Sequence, residues 1–300
     1  MIAAPPGPTE SVARRPWRAR LRPALPFLLL APGILWLLVF YVLPAAWMFA
    51  ISISSGSVQD GFRLTGSFEA YEEALTRFPR QFGNSLLYAG TATILTFLIG
   101  FPVAYTVAFR GGRLKNLLLF LVIAPFFTSF LIRTISWQVL LGDEGPILAF
   151  LKHDLGVLSP DFRVLGSATA VIAGLTYNFL PFMILPLYVA LEKIDPALIE
   201  ASHDLYAGRF SALRRVTIPL ALPGIFAGTL LTFIPAMGDF INAELLGTPR
   251  TQMVGNVIQG RFLALGDYQV AAALSFLLMG GILIAVIAYA RALGTEQLTG

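Results

Sequence analysis

Residues 192–225 read EKIDPALIEASHDLYAGRFSALRRVTIPLALPGI, the one long polar insert in the chain with membrane-like sequence on both sides. Asp195 followed by Pro196 is a helix start: the aspartate is an N-cap, and proline at the first helical position has a preset φ and no N–H to leave orphaned. Ile194, Leu198, Ala201 and Leu205 then recur at helical spacing as a narrow apolar stripe, with Glu200, His203 and Asp204 away from it. Gly208 is placed to end this helix. A second short basic segment, Arg209 to Arg215, leads to Pro219 and back into apolar sequence. The pattern predicts a helix, a turn and a short helix outside the bilayer, between two spans. Arginines would equally suit a surface helix resting on lipid headgroups.

Composition sets the surroundings of that insert. The chain has 300 residues, 56% hydrophobic and 13% charged, with a mean hydropathy of +0.74. No water-soluble domain needs that balance, and a polytopic membrane protein requires it. The absence of cysteine excludes disulfides, thiolate metal sites and a cysteine nucleophile. Only two histidines, His153 and His203, fall in expected loops, which argues against a histidine-rich metal site. The net charge of +4 comes mainly from loop arginines and speaks to membrane orientation rather than to nucleic acid.

At roughly 20 apolar residues per crossing, six spans fit, near 25–50, 84–109, 116–141, 166–191, 220–246 and 268–290. The expected class is therefore all-α, with six transmembrane helices. Residues 1–22 form a basic tail, and 23–81 hold the first span and an outer segment. The core is 82–292 with the loop 192–219 inside it, and 293–300 is a second tail. In the outer segment, Phe68, Tyr71, Leu75 and Phe78 predict a surface helix. Arg110, Arg113, Lys115, Lys193, Arg209, Arg214, Arg215 and Arg291 gather on one side, which the bias of Lys and Arg makes cytoplasmic, with both termini inside. On the other side the loop 142–167 carries Asp143, Glu144, Asp154 and Asp161, either a docking surface for a soluble binding protein or a solvated loop.

Ionisable and polar residues inside spans are the candidates for a transport path. Asp239 and Glu244 favour a cationic substrate by Coulomb attraction. Their offset puts them roughly 140° apart on an ideal helix, so they share a path only if Pro235 and Gly238 distort it, or if Glu244 sits at the outer interface. Arg133, roughly 25 Å along a straight third span, is expected near the outer face with Trp137 one turn on, as a snorkelling pair or part of a gate. Tyr177 and Asn178 stand beside Pro181, where the fourth span is expected to break, as substrate contacts or interhelical hydrogen bonders.

The run Glu200-Ala201-Ser202, with Val216-Thr217-Ile218-Pro219 at the matching distance, resembles the EAA loop of binding-protein-dependent ABC importer permeases: Glu-Ala-Ala, three residues, Gly, nine residues, Ile-x-Leu-Pro. Ser202 replaces the second alanine, and Tyr206 stands where the family has glycine. Gly208 is expected to supply that turn. Pro125–Thr134, Tyr177–Met183, Gly238-Asp239-Phe240, Glu244–Gly247 and Gly255–Gln259 also resemble the putrescine and spermidine branch. The resemblance implies the type I importer permease (MetI-like) fold in the bacterial inner membrane. It implies two ATPase subunits, a second permease subunit (a sister chain or a second copy) and a periplasmic substrate-binding protein as partners. In this family the loop is the coupling helix, so Asp195, Glu200, Ala201, Ser202, Leu205, Gly208 and Pro219 become ATPase-coupling residues.

The chain has no phosphate loop of its own. No cofactor is expected on it, and ATP and Mg belong to the partner ATPase. It is read as a transport subunit rather than an enzyme. Polyamine is the leading solute, with an amino acid, opine, iron or thiamine as alternatives. An ion-coupled secondary carrier would also use broken helices and intramembrane acids.

Overall fold

The computed structural model describes residues 25–57, 61–156, 159 and 161–293, so the tail 1–22 lies outside the described residues. The chain divides into two compact units, residues 1–50 and 51–300. In the first, helix Leu25–Leu37 passes through a π turn, Leu38–Val42, into helix Leu43–Ser52. Its sequence is apolar all round, as a span facing lipid requires.

In the second unit, three further helices are long and apolar enough to cross a membrane: Pro79–Arg110, Ala168–Glu192 and Tyr268–Ala292. The third span is a broken one, Gly112–Phe127 and Phe130–Leu140 meeting at 91°. Thr128 and Ser129 are extended at the junction (ψ 145° and 136°), which stops the helix within two residues. The fifth is helix Leu222–Met237, a break at Gly238–Phe240, and a short helix Ile241–Leu246. The expected break at Pro181 does not occur. The fourth span is one continuous helix through Pro181 and Pro186, each of which removes a donor without ending it.

Small residues let the second, fourth and fifth spans approach one another. A Cβ on Gly228 would stand 2.8 Å from the Met183 sulfur, and one on Gly224 2.4 Å from the Ala190 methyl. Without water to drive helices together, close packing of this kind supplies the association. The core follows from it: Phe101, Ala104, Met183, Ile184, Leu187 and Leu191 form one buried cluster toward the loop end, and Ala89, Val171, Leu175, Leu246, Val254 and Leu274 another toward the opposite end.

The outer segment is only partly helical. Ser54–Ser57 and Gly61–Leu64 form an antiparallel hairpin, and helix Glu69–Arg77 follows. Ala74 and Phe78 are buried and Tyr71 is half-buried, whereas Phe68 and Leu75 are exposed, so the apolar set read from the sequence is split between the contact and the surface.

Candidate functional site

Two places carry the chemistry, one outside the membrane and one within it. At the loop end, the Asp195 Oδ1 accepts from the Ala197 N–H at 2.9 Å with Pro196 behind it, the cap the sequence predicts. The helix runs Pro196–Asp204, and a second helical run, Arg209–Leu220, returns to the fifth span at a bend of 69°. The apolar stripe faces outward: Leu198, Leu205, Tyr206 and Phe210 are exposed, Leu205 at 82% and Tyr206 at 98%. Of the stripe only Ile194 is buried, and Ser202 lies on the inner side, its hydroxyl donating to the Ile199 carbonyl at 2.7 Å. Glu200, Ala201, Gly208 and Pro219 are exposed.

The turn after the first loop helix differs from expectation. The helix ends at Asp204, before Gly208 is reached, and Tyr206 takes the left-handed conformation with φ 61°, the one non-glycine positive φ among the described residues. The Ala207 N–H donates to the Ser202 carbonyl and the Tyr206 N–H to that of His203, the paired bonds of a Schellman cap. Gly208 is instead extended (φ −66°) and precedes the next helix. Tyrosine thus occupies the glycine position of the family pattern in the conformation that favours glycine, at a cost of about 1–2 kcal/mol. Beside the loop, Lys115 pairs with Glu192, and its ammonium lies 5.3 Å from the Tyr188 ring. Arg110, Ile199, His203 and Arg209 line one cavity, so the basic end of the second span and the loop share a side.

Within the membrane, the break in the fifth span organises a polar layer. Asp239 is 8% exposed, and its Oδ1 accepts from the Asn242 N–H at 2.8 Å, starting the short helix that follows. The Asn256 amide donates to the Phe240 carbonyl at 2.9 Å, which also accepts from the Glu244 N–H at 2.9 Å, and to Glu244 Oε2 at 3.1 Å. Gly255 permits the approach, since a Cβ there would lie 2.5 Å from the Gly238 oxygen. Asn178, buried in the fourth span, links to Asn242 at 3.0 Å and to Thr134 at 3.1 Å. The ideal-helix offset between Asp239 and Glu244 therefore does not apply. Asp239 is buried and engaged in the chain's own backbone, while Glu244 is exposed and tied to Asn256. Thr134, Asn242 and Asn256 join the site through long-range contacts that no local spacing signals.

Arg133 is not a snorkelling residue at the interface. The bend at Thr128–Ser129 turns it inward, where it is 8% exposed and its guanidinium carbon lies 4.4 Å from the Phe126 ring and 5.7 Å from Phe130. Trp137 packs on Tyr177 at 5.4 Å. A groove of about 800 Å³ between the fourth and fifth spans runs from Phe182 to Lys193, Asp195 and Leu198, so it reaches the loop end. On the opposite side Asp143 pairs with Arg163 at 3.2 Å and Lys152 at 3.6 Å, which removes one acid from the expected acidic patch. Glu144 and Asp161 are exposed, and the Asp154 side chain lies outside the described residues.

Known proteins match this arrangement. Residues 73–292 fit the family model for the binding-protein-dependent transport system inner membrane component. The chain is 40% identical to the spermidine/putrescine transport system permease protein PotB of Haemophilus influenzae over 86% of this chain and 90% of the relative. It is 36% identical to the protein of that name from Escherichia coli, over 86% and 94%. Among solved structures, a bacterial alginate ABC transporter chain superposes with a TM-score of 0.77 at 18% identity, over 96% of this chain and all of that one. A methionine ABC transporter chain does so with 0.53 at 22%, over 72% and 95%. The structural likenesses establish the type I importer permease fold, and with the family match over most of its length the chain belongs to the binding-protein-dependent transport system inner membrane components.

Proposed function

We propose that this chain is the permease subunit of an ATP-driven importer that moves polyamines such as spermidine and putrescine inward by alternating access. The observation that carries the reading is a bare apolar loop surface, Leu198, Leu205, Tyr206 and Phe210, on a chain that matches spermidine/putrescine permeases over 86% of its length. Leucines exposed in water at a capped, well-formed loop serve a partner. One of two ATPase subunits docks there, the pair holding ATP and Mg, while this chain binds no cofactor and catalyses nothing itself. Asp195, Glu200, Ala201, Ser202, Leu205, Gly208 and Pro219 form the coupling loop.

The basic residues at the loop end support a cytoplasmic placement in the inner membrane, with both termini inside. A second permease chain completes the path, and a periplasmic binding protein feeds it. The groove reaching the loop end suits the inward-open state of the cycle. Glu244, with Asn256 beside it, offers the solute a partly exposed carboxylate. Asp239, Asn178, Tyr177, Trp137 and Arg133 shape the surroundings.

The test is uptake of labelled spermidine by proteoliposomes holding the whole complex, with and without ATP inside and with and without the ATPase. The reading requires uptake only with both. Uptake by the permease chains alone would mark an ion-coupled carrier, and ATP-driven uptake of an amino acid, opine, iron or thiamine in place of spermidine would move the solute but keep the class.

A further inference from the structure

We infer that the Phe126 and Phe130 ring faces form an ammonium-binding subsite, and that in this conformation the chain's own Arg133 guanidinium fills it. The inference rests on the reading of the solute as an organic cation and says where one of its ammonium groups is held.

The guanidinium lies over Phe126 at 4.4 Å and nearer to it than to Phe130 at 5.7 Å, within the range in which a cation is drawn to a ring face. Phe126 packs edge-on against Phe182 at 5.4 Å, Phe130 against Phe179 at 6.2 Å, and Phe179 against Phe182 at 6.1 Å. The rings thus form one continuous cluster, and Phe182 also lines the groove between the fourth and fifth spans. The seat thus adjoins that groove through Phe182.

What the guanidinium lacks matters as much. Its Nε and Nη1 are buried without a hydrogen-bond partner, and no carboxylate among the described residues pairs with it. A buried cation normally needs both, and ring faces return less than an unpaired, desolvated guanidinium loses. Arg133 is therefore held in a costly position by the rings, in a segment attached through the sharp bend at Thr128–Ser129. The two orphan nitrogens are enclosed by protein, so an anion in the groove would not reach that edge of the side chain.

A primary or quaternary ammonium carries the same charge, and a ring face does not discriminate between cations of similar size. Two cations in one seat repel strongly in a low-dielectric site. Entry of a solute ammonium and departure of Arg133 are thus one exchange, with the arginine as a built-in competitor that keeps the seat filled between transport events.

The assembled complex without its binding protein tests this, using tetramethylammonium as a probe that depends only on the seat, and spermidine beside it. Arg133→Gln should bind both about tenfold more tightly than wild type, Arg133→Lys should stay within twofold of wild type, and adding Phe126→Ala to Arg133→Gln should abolish the gain. Unchanged or weaker binding by an assembled Arg133→Gln complex overturns the inference, as does a gain that survives Phe126→Ala. Should Arg133→Gln fail to assemble, the wild type decides. The ring-shifted NMR signal of labelled arginine, assigned by its loss in Arg133→Lys, should move toward the ordinary position on adding tetramethylammonium, and a stationary signal overturns the exchange. Spermidine uptake with no tetramethylammonium effect removes the seat and leaves the transport reading. An exchange signal without spermidine uptake does the reverse.

Discussion

Two helices of nine residues each lie at opposite ends of the bundle, Glu69–Arg77 and Pro196–Asp204, and among the described residues only the first is tied by ion pairs to another segment of the chain. In the first, Ala74 is fully buried, Phe78 lies under Arg261, and Glu73 binds both Arg77 and Arg261 at 3.1 Å while Arg261 also binds Asp267 at 2.5 Å. In the second, the caps are made within the loop and the apolar side chains are left in water. The difference teaches how each helix is held: the outer one is clamped through Arg261 just before the sixth span while Phe68 and Leu75 stay exposed, and the loop helix presents its apolar face with no such clamp.

The same chemical change at the two ends separates these roles most sharply. Ala74→Asp places a carboxylate where no space or partner exists and should destabilise the chain by about 3 kcal/mol or more, read as loss of monodisperse protein in detergent. Leu205→Asp should leave the purified chain's melting unchanged and reduce ATPase co-purification tenfold or more, since a buried leucine is worth about 1.5–3 kcal/mol. A Leu205→Asp complex that assembles as well as wild type would break the contrast. Glu200→Arg is expected to lower ATP-driven uptake tenfold with membrane insertion intact, and normal uptake would remove the residue from coupling.

Smaller effects sharpen the picture. Arg261→Ala strips Glu73 and Asp267 of a partly buried partner and should lower stability by about 1.5–3 kcal/mol, with ATPase binding retained. In the membrane, Asn256→Ala takes the side-chain acceptor from the buried Met253 N–H at about 1–3 kcal/mol, measured as a shift in thermal unfolding. The smallest change is a gain: Tyr206→Gly relieves the left-handed residue and should stabilise the loop by about 1 kcal/mol. Slower hydrogen exchange at the Ala207 amide, which the cap holds, is the measurement. Faster exchange would mean the tyrosine ring, not the backbone, holds that turn.

Much of this was legible before the structure, and the misses share a cause. The spans show because each is a long apolar run, and the Asp195 cap shows because it is made by neighbours in the chain. The direction of the stripe Leu198, Ala201 and Leu205 does not, because periodicity reports that a helix has an apolar face without saying whether this chain or another covers it. Arg133 was misplaced by assuming a straight third span. Pro125 signals an irregularity there, but the extended Thr128 and Ser129 that turn the chain by 91° carry no strong local signal. In the reverse direction Pro181 suggested a break that does not occur. The hairpin 54–64 escaped because its strands hold few of the aromatic and branched residues that mark one. Asn242 and Asn256 are polar residues whose partners lie on other segments, so only the fold reveals them.

The glycines between the fourth and fifth spans have a mechanical corollary. With Gly224 pressed on Ala190 and Pro186, and Gly228 on Met183, the two rods approach closely at two levels. On the proposed function, a push on the elbow that joins them at Pro196–Leu220 would therefore move the two spans as a pair, since neither glycine contact leaves room for one to slide without the other.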